Sequence, residues 1–355
     1  MPPHVTLRVG IIKGNGIGPE ITNATQRVIE ATGLALEWEE IPVADEGIAA
    51  YGHPLPPQAV QRLRATGLNI KAPLIVNKLQ GRISCAQPDG SELTYPSLNN
   101  AVRRELGLFV NPRPIRGYPG ISGRHEAMDL VVMREVTEDI YIGHEHRIGD
   151  DVAAEAIKLI TRSAATRVAR FSFDYARKQG RRRVTCLHKA NVLNYTDGLF
   201  LRCFYEVARD YPDIQADDMM IDAACYTVVR DPTRFDVVCT PNQYGDIFSD
   251  LAAGLAGSLG LAPGSNIGDG VAIFEASHGA APDIAGKGLA NPLALVLSGA
   301  ELLDYAGQSK EATAVRNAVR NVLETKTNLT PDLGGSGSTE TITNAVVAEI
   351  RRLIA

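Results

Sequence analysis

The sequence predicts an α/β protein, with a largely parallel sheet covered by helices on both faces and divided into two lobes. Three observations predict it. Short β-branched runs alternate with helical patterns along the chain, the signature of parallel strands joined by helical crossovers. At 355 residues, the chain is longer than one compact core organises. Apolar residues make up 45% and charged residues 22%, the ordinary balance of a soluble globular protein.

The strand-like runs are LRVGII (7–12), LEWEEIP (36–42), DLVVMRE (129–135), RRVTCLHKA (182–190), MMIDAAC (219–225), FDVVCTP (235–241) and VAIFEA (271–276). Helical patterns cover Gln26–Ala31, Ala153–Gln179, Phe200–Asp210 and Glu311–Glu324. Between Val76 and Pro96 the sequence reads as a long polar loop with a Pro-Asp-Gly-Ser turn. Loops of that kind are more often functional lids than accidents.

Charge and cysteine usage exclude several function classes. A net charge of −5 argues against a general nucleic-acid binder. The basic run RKQGRRR (177–183) follows a helical pattern whose C-terminus favours cations, with Gly180 as a natural stop, so it reads as a solvated helix end. Five cysteines form no C-x-x-C pair, and their odd number does not suggest a disulfide framework. No signal-peptide core and no apolar run of about 18 residues is visible, so the chain reads as cytoplasmic and free of membrane spans.

The stretch KGNGIGPE (13–20) looks like a dinucleotide fingerprint, with Glu37 and Glu39 about where a ribose-binding acid is sought. Its glycines are spaced G-x-G-x-G, however, and the third is misplaced for that motif. The spacing favours a tight strand-to-helix turn, with Pro19 suited to the first helical turn.

Four further segments carry chemistry. Asp246 and Asp250, four apart at the start of a helical pattern, share one face. They suit either a hard dication or an acid-rich helix N-terminus. Arg103, Arg113 and Arg134 lie close to strand ends; together they suit a di- or tricarboxylate, while any one of them reads as a surface ion pair. Lys189 ends an apolar run, where a metal or an apolar pocket would make it a base near neutral pH. His278-Gly279-Ala280-Ala281-Pro282-Asp283 combines small residues with an acid, fitting either a ribose site or a capped connection.

Taken in order, these segments resemble the metal-dependent β-decarboxylating dehydrogenases: isocitrate, homoisocitrate and isopropylmalate dehydrogenases. The likeness runs from Gly10 to about Leu353 through GIGPE, RPxR, RExTEDIYxG, HKANxxxxTDGLF, YGDIxSDLAAGL, HGxAPDIAGKGxANP and TPDLGG. It is nearest to the NAD-dependent isocitrate and homoisocitrate members. The resemblance implies a two-lobed fold that is not Rossmann. A large domain would comprise 1–108 and 257–355, and a small one 109–256 with a dimerisation clasp near Asp151–Ile160. GIGPE would line the cofactor cleft.

Residue by residue, the resemblance implies that Arg103, Arg113 and Arg134 hold the malate portion of a substrate, with Lys71 nearby. Ser97 and Asn99 would hydrogen-bond its distal carboxylate. Asp246 and Asp250, with Asp222 from a second subunit, would hold Mg²⁺ or Mn²⁺. Lys189, also from that subunit, would assist deprotonation of the C2 hydroxyl, and Tyr141 would protonate the enolate carbon. The cofactor would rest on Glu275, His278, Gly279, Ala281, Asp283, Ile284, Asn291 and Asp332. Asp283-Ile284 stands where NADP-using relatives tend to have Lys-Tyr, and a carboxylate there repels a 2′-phosphate, so the expected cofactor is NAD.

The expected protein is thus a homodimer with shared sites, acting on a small hydroxy di- or tricarboxylate. Isocitrate is the expected substrate. The alternatives are homoisocitrate, isopropylmalate, a phosphonate analogue such as phosphonomethylmalate, and, in another class, a non-catalytic regulatory subunit. The chain departs from the family pattern at Asn15 (usually Asp), at Pro112, at Val136 (usually Asn) and in the Val76–Pro96 loop.

Overall fold

A computed structural model of the chain describes residues 6–75, 82–87, 89–121 and 123–354. They group into two compact units. One draws on Met1–Gly81, Arg116–Ala127 and Ala253–Ala355; the other on Arg82–Ile115 and Met128–Ala252.

In the first unit five strands lie in the order Pro263–Ile267, Ala272–Ala276, Leu68–Lys71, Leu7–Ile12, Leu36–Glu40. All neighbours are parallel, with registers such as Ile11↔Ile70 and Phe274↔Ile70, except the antiparallel first pair. Strands buried on both faces read as continuous apolar runs, and Ile11, Ile12, Ile70 and Ile273 are accordingly solvent-free. Helix Leu293–Tyr305 is buried over most of its length, which its LALVL start requires.

The glycine stretch is the strand-to-helix turn its spacing predicts. It joins Leu7–Ile12 to helix Gly18–Glu30, with Gly14 at φ +68° and Gly16 at φ +60°. A Cβ on Gly16 would lie 2.1 Å from the Ala280 carbonyl oxygen, and the Ile17 amide donates to that oxygen at 2.9 Å. The glycines therefore let the 278–283 connection approach. Glu39, the decoy ribose acid, is held by Arg8 and Arg62 at 2.6 Å each. Asn15 is also accounted for: its amide donates to Asp45 at 2.5 Å and its oxygen accepts from the Ile75 amide at 3.0 Å. An aspartate there would set two carboxylates against each other.

In the second unit the strand order is Gln215–Met220, Arg183–His188, Val237–Thr240, Asp129–Glu135, Val110–Arg116. The first four are parallel, in registers such as Cys186↔Cys239 and Val238↔Val132.

Three sequence expectations are corrected. MMIDAAC is not a strand: Gln215–Met220 ends within it, and helix Ile221–Arg230 begins. A short apolar run cannot distinguish strand from buried helix by periodicity. The helix expected over Ala153–Gln179 starts only at Arg162, where Thr161 accepts a hydrogen bond from the Ala164 amide; Ala153–Ala156 instead pairs antiparallel with Glu145–Ile148. Cross-strand pairing overrides the helical propensity of an Ala-Glu-Ala run. The Val76–Pro96 loop contains a hairpin, Ile83–Ala86 against Glu92–Tyr95, and Asp89 closes its turn by accepting from the Ser91 amide at 2.9 Å. The parts of that loop at 76–81 and 88 lie outside the described residues.

The basic run does end a helix and is solvent-exposed at Arg177, Lys178 and Arg182, and several of its charges are also ion-paired. Arg177 meets Asp213, and Arg181 meets Asp129 at 2.7 Å and Asp236 at 2.9 Å. All five cysteines are free. Among the described residues no helix is long and apolar enough to cross a membrane.

Candidate active site

Arg113 and Arg134 stand on neighbouring strands of the second unit and point at one helix, Asn242–Ala256. Arg134 is 2% exposed. Its guanidinium bonds the Asn242 side chain at 2.8 Å and ion-pairs with Asp246. Arg113 spans both acids of the helix, 3.3 Å from Asp246 and 3.2 Å from Asp250, and donates to the Ser249 hydroxyl at 2.6 Å. Burial disfavours the charged form of Arg134, and the like charges of Arg113 and Arg103 add to that effect, so all three expected arginines share one field. Three arginines gathered near one another suit a multivalent anion.

The Tyr141 hydroxyl donates to Asp246 at 2.7 Å. Burial, reinforced by that carboxylate, pushes Tyr141 up to about 12. For Asp246 burial pulls the other way, yet Arg134 and Arg113 outweigh it and hold the carboxyl below its ordinary range. Asp250 is raised, chiefly by burial. The two acids expected to bind metal are thus adjacent and already bridged by a cation.

Asp222 is not with them. It lies in the first turn of Ile221–Arg230 and receives the Lys189 ammonium at 2.6 Å. Among the described residues of one chain, no three His, Cys, Asp or Glu side chains group to hold a metal ion. Lys189 and Asp222 therefore form one pair, and Asp246 and Asp250 another.

Ser97 caps helix Leu98–Glu105, accepting from the Asn100 amide at 3.2 Å. Asn99 keeps a buried side-chain oxygen without a hydrogen-bond partner. In the first unit, Lys71 pairs with Glu275 at 2.6 Å, both buried. His278 Nδ1 bonds the Gly279 carbonyl at 2.9 Å, while its Nε2 is buried with no partner. Burial lowers the His278 pKa, so the neutral ring offers Nε2 as an orphan acceptor. Asn291 donates to Asp332 at 3.0 Å, beside Ser258 at 3.1 Å from the same carboxylate. Gly279 faces open space, and Ala281 takes a left-handed conformation at φ +37° before the short 3₁₀ turn Pro282–Ile284, which carries Asp283.

Sequence reasoning missed the residues that hold these groups in place. Asn111 fixes the Arg113 Nε at 2.7 Å, Asn242 grips Arg134, and Asn100 donates to the Tyr141 carbonyl at 3.1 Å. Nothing in local spacing marks Asn100, Asn111 or Asn242 as a clamp. Gly245 was also missed: a Cβ there would meet Arg134 Cγ at 2.6 Å and Cβ at 2.8 Å. Gly245→Ala should therefore displace a buried arginine root, at a cost of about 1–3 kcal/mol. Binding of a multivalent carboxylate at these arginines, followed by calorimetry, should weaken by about tenfold or more.

An α/β chain that sets arginines, a tyrosine and paired aspartates around one helix start belongs with the enzymes of anionic small molecules. Comparison with known proteins narrows that class. Residues 8–346 match the family described as isocitrate/isopropylmalate dehydrogenase, and the chain belongs to it. It is 43% identical over 337 residues to the catalytic subunit 5 of NAD isocitrate dehydrogenase from Arabidopsis thaliana mitochondria, covering 95% of this chain and 86% of that one. It is 42% identical over 341 residues to 3-isopropylmalate dehydrogenase of Archaeoglobus fulgidus, covering 96% and 98%. The crystal structure of isocitrate dehydrogenase from Methylococcus capsulatus superposes with a TM-score of 0.89 at 41% identity, covering 97% of this chain and 99% of that one. These relatives are named as dehydrogenases of isocitrate or 3-isopropylmalate, and the fold is that of the family.

Proposed function

We propose that this chain is an NAD- and divalent-metal-dependent decarboxylating dehydrogenase that converts isocitrate to 2-oxoglutarate and CO₂. The observation that carries this reading is the field of Arg103, Arg113 and Arg134 around the Tyr141–Asp246 pair. Arginine forks bind carboxylates with two parallel hydrogen bonds, and isocitrate brings three carboxylates. The orphan oxygen of Asn99 and the Ser97 hydroxyl favour a polar distal group over an isopropyl tail.

The residues fit both a divalent metal ion and a dinucleotide. Asp246 and Asp250 present adjacent carboxylate oxygens, the donor set of a hard dication. With Asp222 of the partner subunit they would hold Mg²⁺ or Mn²⁺, which supplies Lewis-acid stabilisation of the charge that develops as CO₂ leaves. The orphan His278 Nε2, open Gly279 and the acid at Asp283 fit the adenosine half of NAD, which supplies the hydride acceptor. Asn291 and Asp332 would flank it, with Ala281 and Ile284 beside the ribose.

The chain's own groups then have distinct tasks. The arginines neutralise and orient the substrate's carboxylates. Lys189, in this reading lent by the partner subunit, takes the C2 hydroxyl proton. Tyr141 gives its phenolic proton to C3 once CO₂ has gone, and Asp246 keeps that hydroxyl aimed. Lys71 stays paired with Glu275. Sharing across a twofold axis is supported by the hairpin Glu145–Ile148/Ala153–Ala156, whose residues are all exposed. A lone two-stranded hairpin is marginal in water, and this one carries Ile148 and Val152 at 50% and 79% exposure, so it fits a clasp between subunits.

A second reading keeps the reaction and changes the C3 substituent; the hairpin at 83–95 in place of a short loop favours it. The test is NADH formation with Mn²⁺ from a panel of 3-substituted malates, with NADP in parallel. Isocitrate with NAD should lead. A faster phosphonomethylmalate, homoisocitrate or isopropylmalate would move the assignment to that substrate, and a panel without turnover would leave the regulatory-subunit alternative.

A further inference from the structure

We propose that Lys158 is a positioning residue for this reaction. Its ammonium holds a buried ion hub from which the Tyr141 turn, the Lys189 backbone and the aspartate-bearing helix are all suspended. The inference rests on the dehydrogenase reading for the roles of Tyr141 and Lys189; the hub itself is geometry.

The Lys158 side chain is 12% exposed. Its Nζ lies 2.7 Å from Asp197 Oδ1, 3.7 Å from Asp139 Oδ1 and 4.2 Å from the centre of the Tyr244 ring. Both carboxylates are at 0% exposure. A buried carboxylate needs a counter-charge and hydrogen bonds to remain ionised. Lys158 supplies the charge for two of them, and backbone amides supply the hydrogen bonds.

Those amides belong to the reaction's machinery. Asp197 Oδ2 accepts from the Lys189 amide at 2.7 Å, so it fixes the backbone of the expected base. Asp139 Oδ2 accepts from the Gln243 amide at 3.0 Å, in the first turn of the helix that carries Asp246 and Asp250. Asp139 Oδ1 accepts from the Ile140 amide at 2.8 Å, one residue before Tyr141.

Asp139 is itself strained. Its φ of +72° with ψ of −152° lies in a region essentially reserved for glycine. A non-glycine residue persists there only when its surroundings over-determine it. Here the surroundings are the Gln243 and Ile140 amides, the Lys158 ammonium, and the Leu159 carbonyl, which accepts from the Asp139 amide at 2.8 Å. Lys158 and Leu159 are consecutive, so one segment, directly beyond the exposed hairpin, holds the turn from both sides. Without the ammonium the turn should relax, and Tyr141 with it. Arg113 and Arg134 are held instead by Asn111, Ser249 and Asn242, and should still bind substrate.

This separates positioning from a purely structural ion pair. In the full-length enzyme, Lys158→Met should lower kcat at least tenfold with KM for the hydroxy acid and for NAD within twofold. Amide hydrogen exchange at Lys189 and Gln243 should quicken while Val238, in the sheet, stays as slow as in wild type. The double variant Lys158→Met/Asp197→Asn, which removes the excess negative charge, should show the same kcat loss if the single variant folds poorly. An unchanged kcat, a rise in KM alone, or unchanged exchange at both amides would overturn the proposal. Failure of both variants to fold would do so too, by marking Lys158 as a fold determinant. A wild-type chain without turnover on any substituted malate would sink the dehydrogenase reading instead, and the exchange data would still decide the hub.

Discussion

Tyr141→Phe and Lys189→Met, each nearly inactive alone, should regain activity when one subunit of each is combined in a mixed dimer. Within one chain, Tyr141 is bonded to Asp246, whereas Lys189 is bonded to Asp222. No third acid joins Asp246 and Asp250 among the described residues. On the proposed reading, a site that needs all of these groups would be completed by a second copy. Removing one acid–base group costs about 10²–10⁴-fold in rate. In a twofold dimer of the two variants, one site carries both lesions and the other carries none. Mixed dimers, isolated with two different affinity tags after co-expression, should therefore turn over at about half the wild-type rate, whereas the parent variants stay two or more orders of magnitude lower. Activity that stays at the parental level in the mixed dimer would mean that Tyr141 and Lys189 serve the same chain's site.

Much of the site was legible because its chemistry is carried by charged residues at fixed offsets. Asp246 and Asp250 are four apart, and the helix puts them on one face under Arg113. Arg113 and Arg134 occupy neighbouring strands, as strand–helix alternation allows. The misplaced third glycine correctly argued against a dinucleotide fingerprint, since Gly16 serves close packing against Ala280. What stayed hidden depends on long-range contact. The Asn242 and Asn111 clamps, the Gly245 clearance and the strained Asp139 come from strands and helices meeting, and no local pattern encodes that. The same holds for MMIDAAC and the Ala153–Ala156 strand, where propensity pointed one way and pairing the other. Family resemblance could name Tyr141 and Lys189, but only the folded chain reveals what holds them.

Metal removal should abolish turnover, and the arginines predict how metal and substrate depend on one another. Arg113 bridges Asp246 and Asp250, and Arg134 pairs with Asp246. A dication that takes these carboxylates must displace the guanidinium groups or sit beside them, and two cations so close repel. A hydroxy acid resolves the conflict by offering its carboxylates to the arginines. Metal binding without substrate should thus be weak, and substrate should tighten it by roughly tenfold or more, a coupling of about 1–3 kcal/mol that must be reciprocal. Titration of Mn²⁺ by paramagnetic resonance, with and without isocitrate, measures this directly. Arg113→Gln should reverse the balance: Mn²⁺ binds the free enzyme more tightly because a competing cation is gone, while affinity for the hydroxy acid falls. EDTA should silence the wild-type enzyme, with Mg²⁺ or Mn²⁺ restoring it. Turnover that survives chelation, or Mn²⁺ affinity that ignores both substrate and Arg113, would show that Asp246 and Asp250 serve only as ion-pair partners of the arginines.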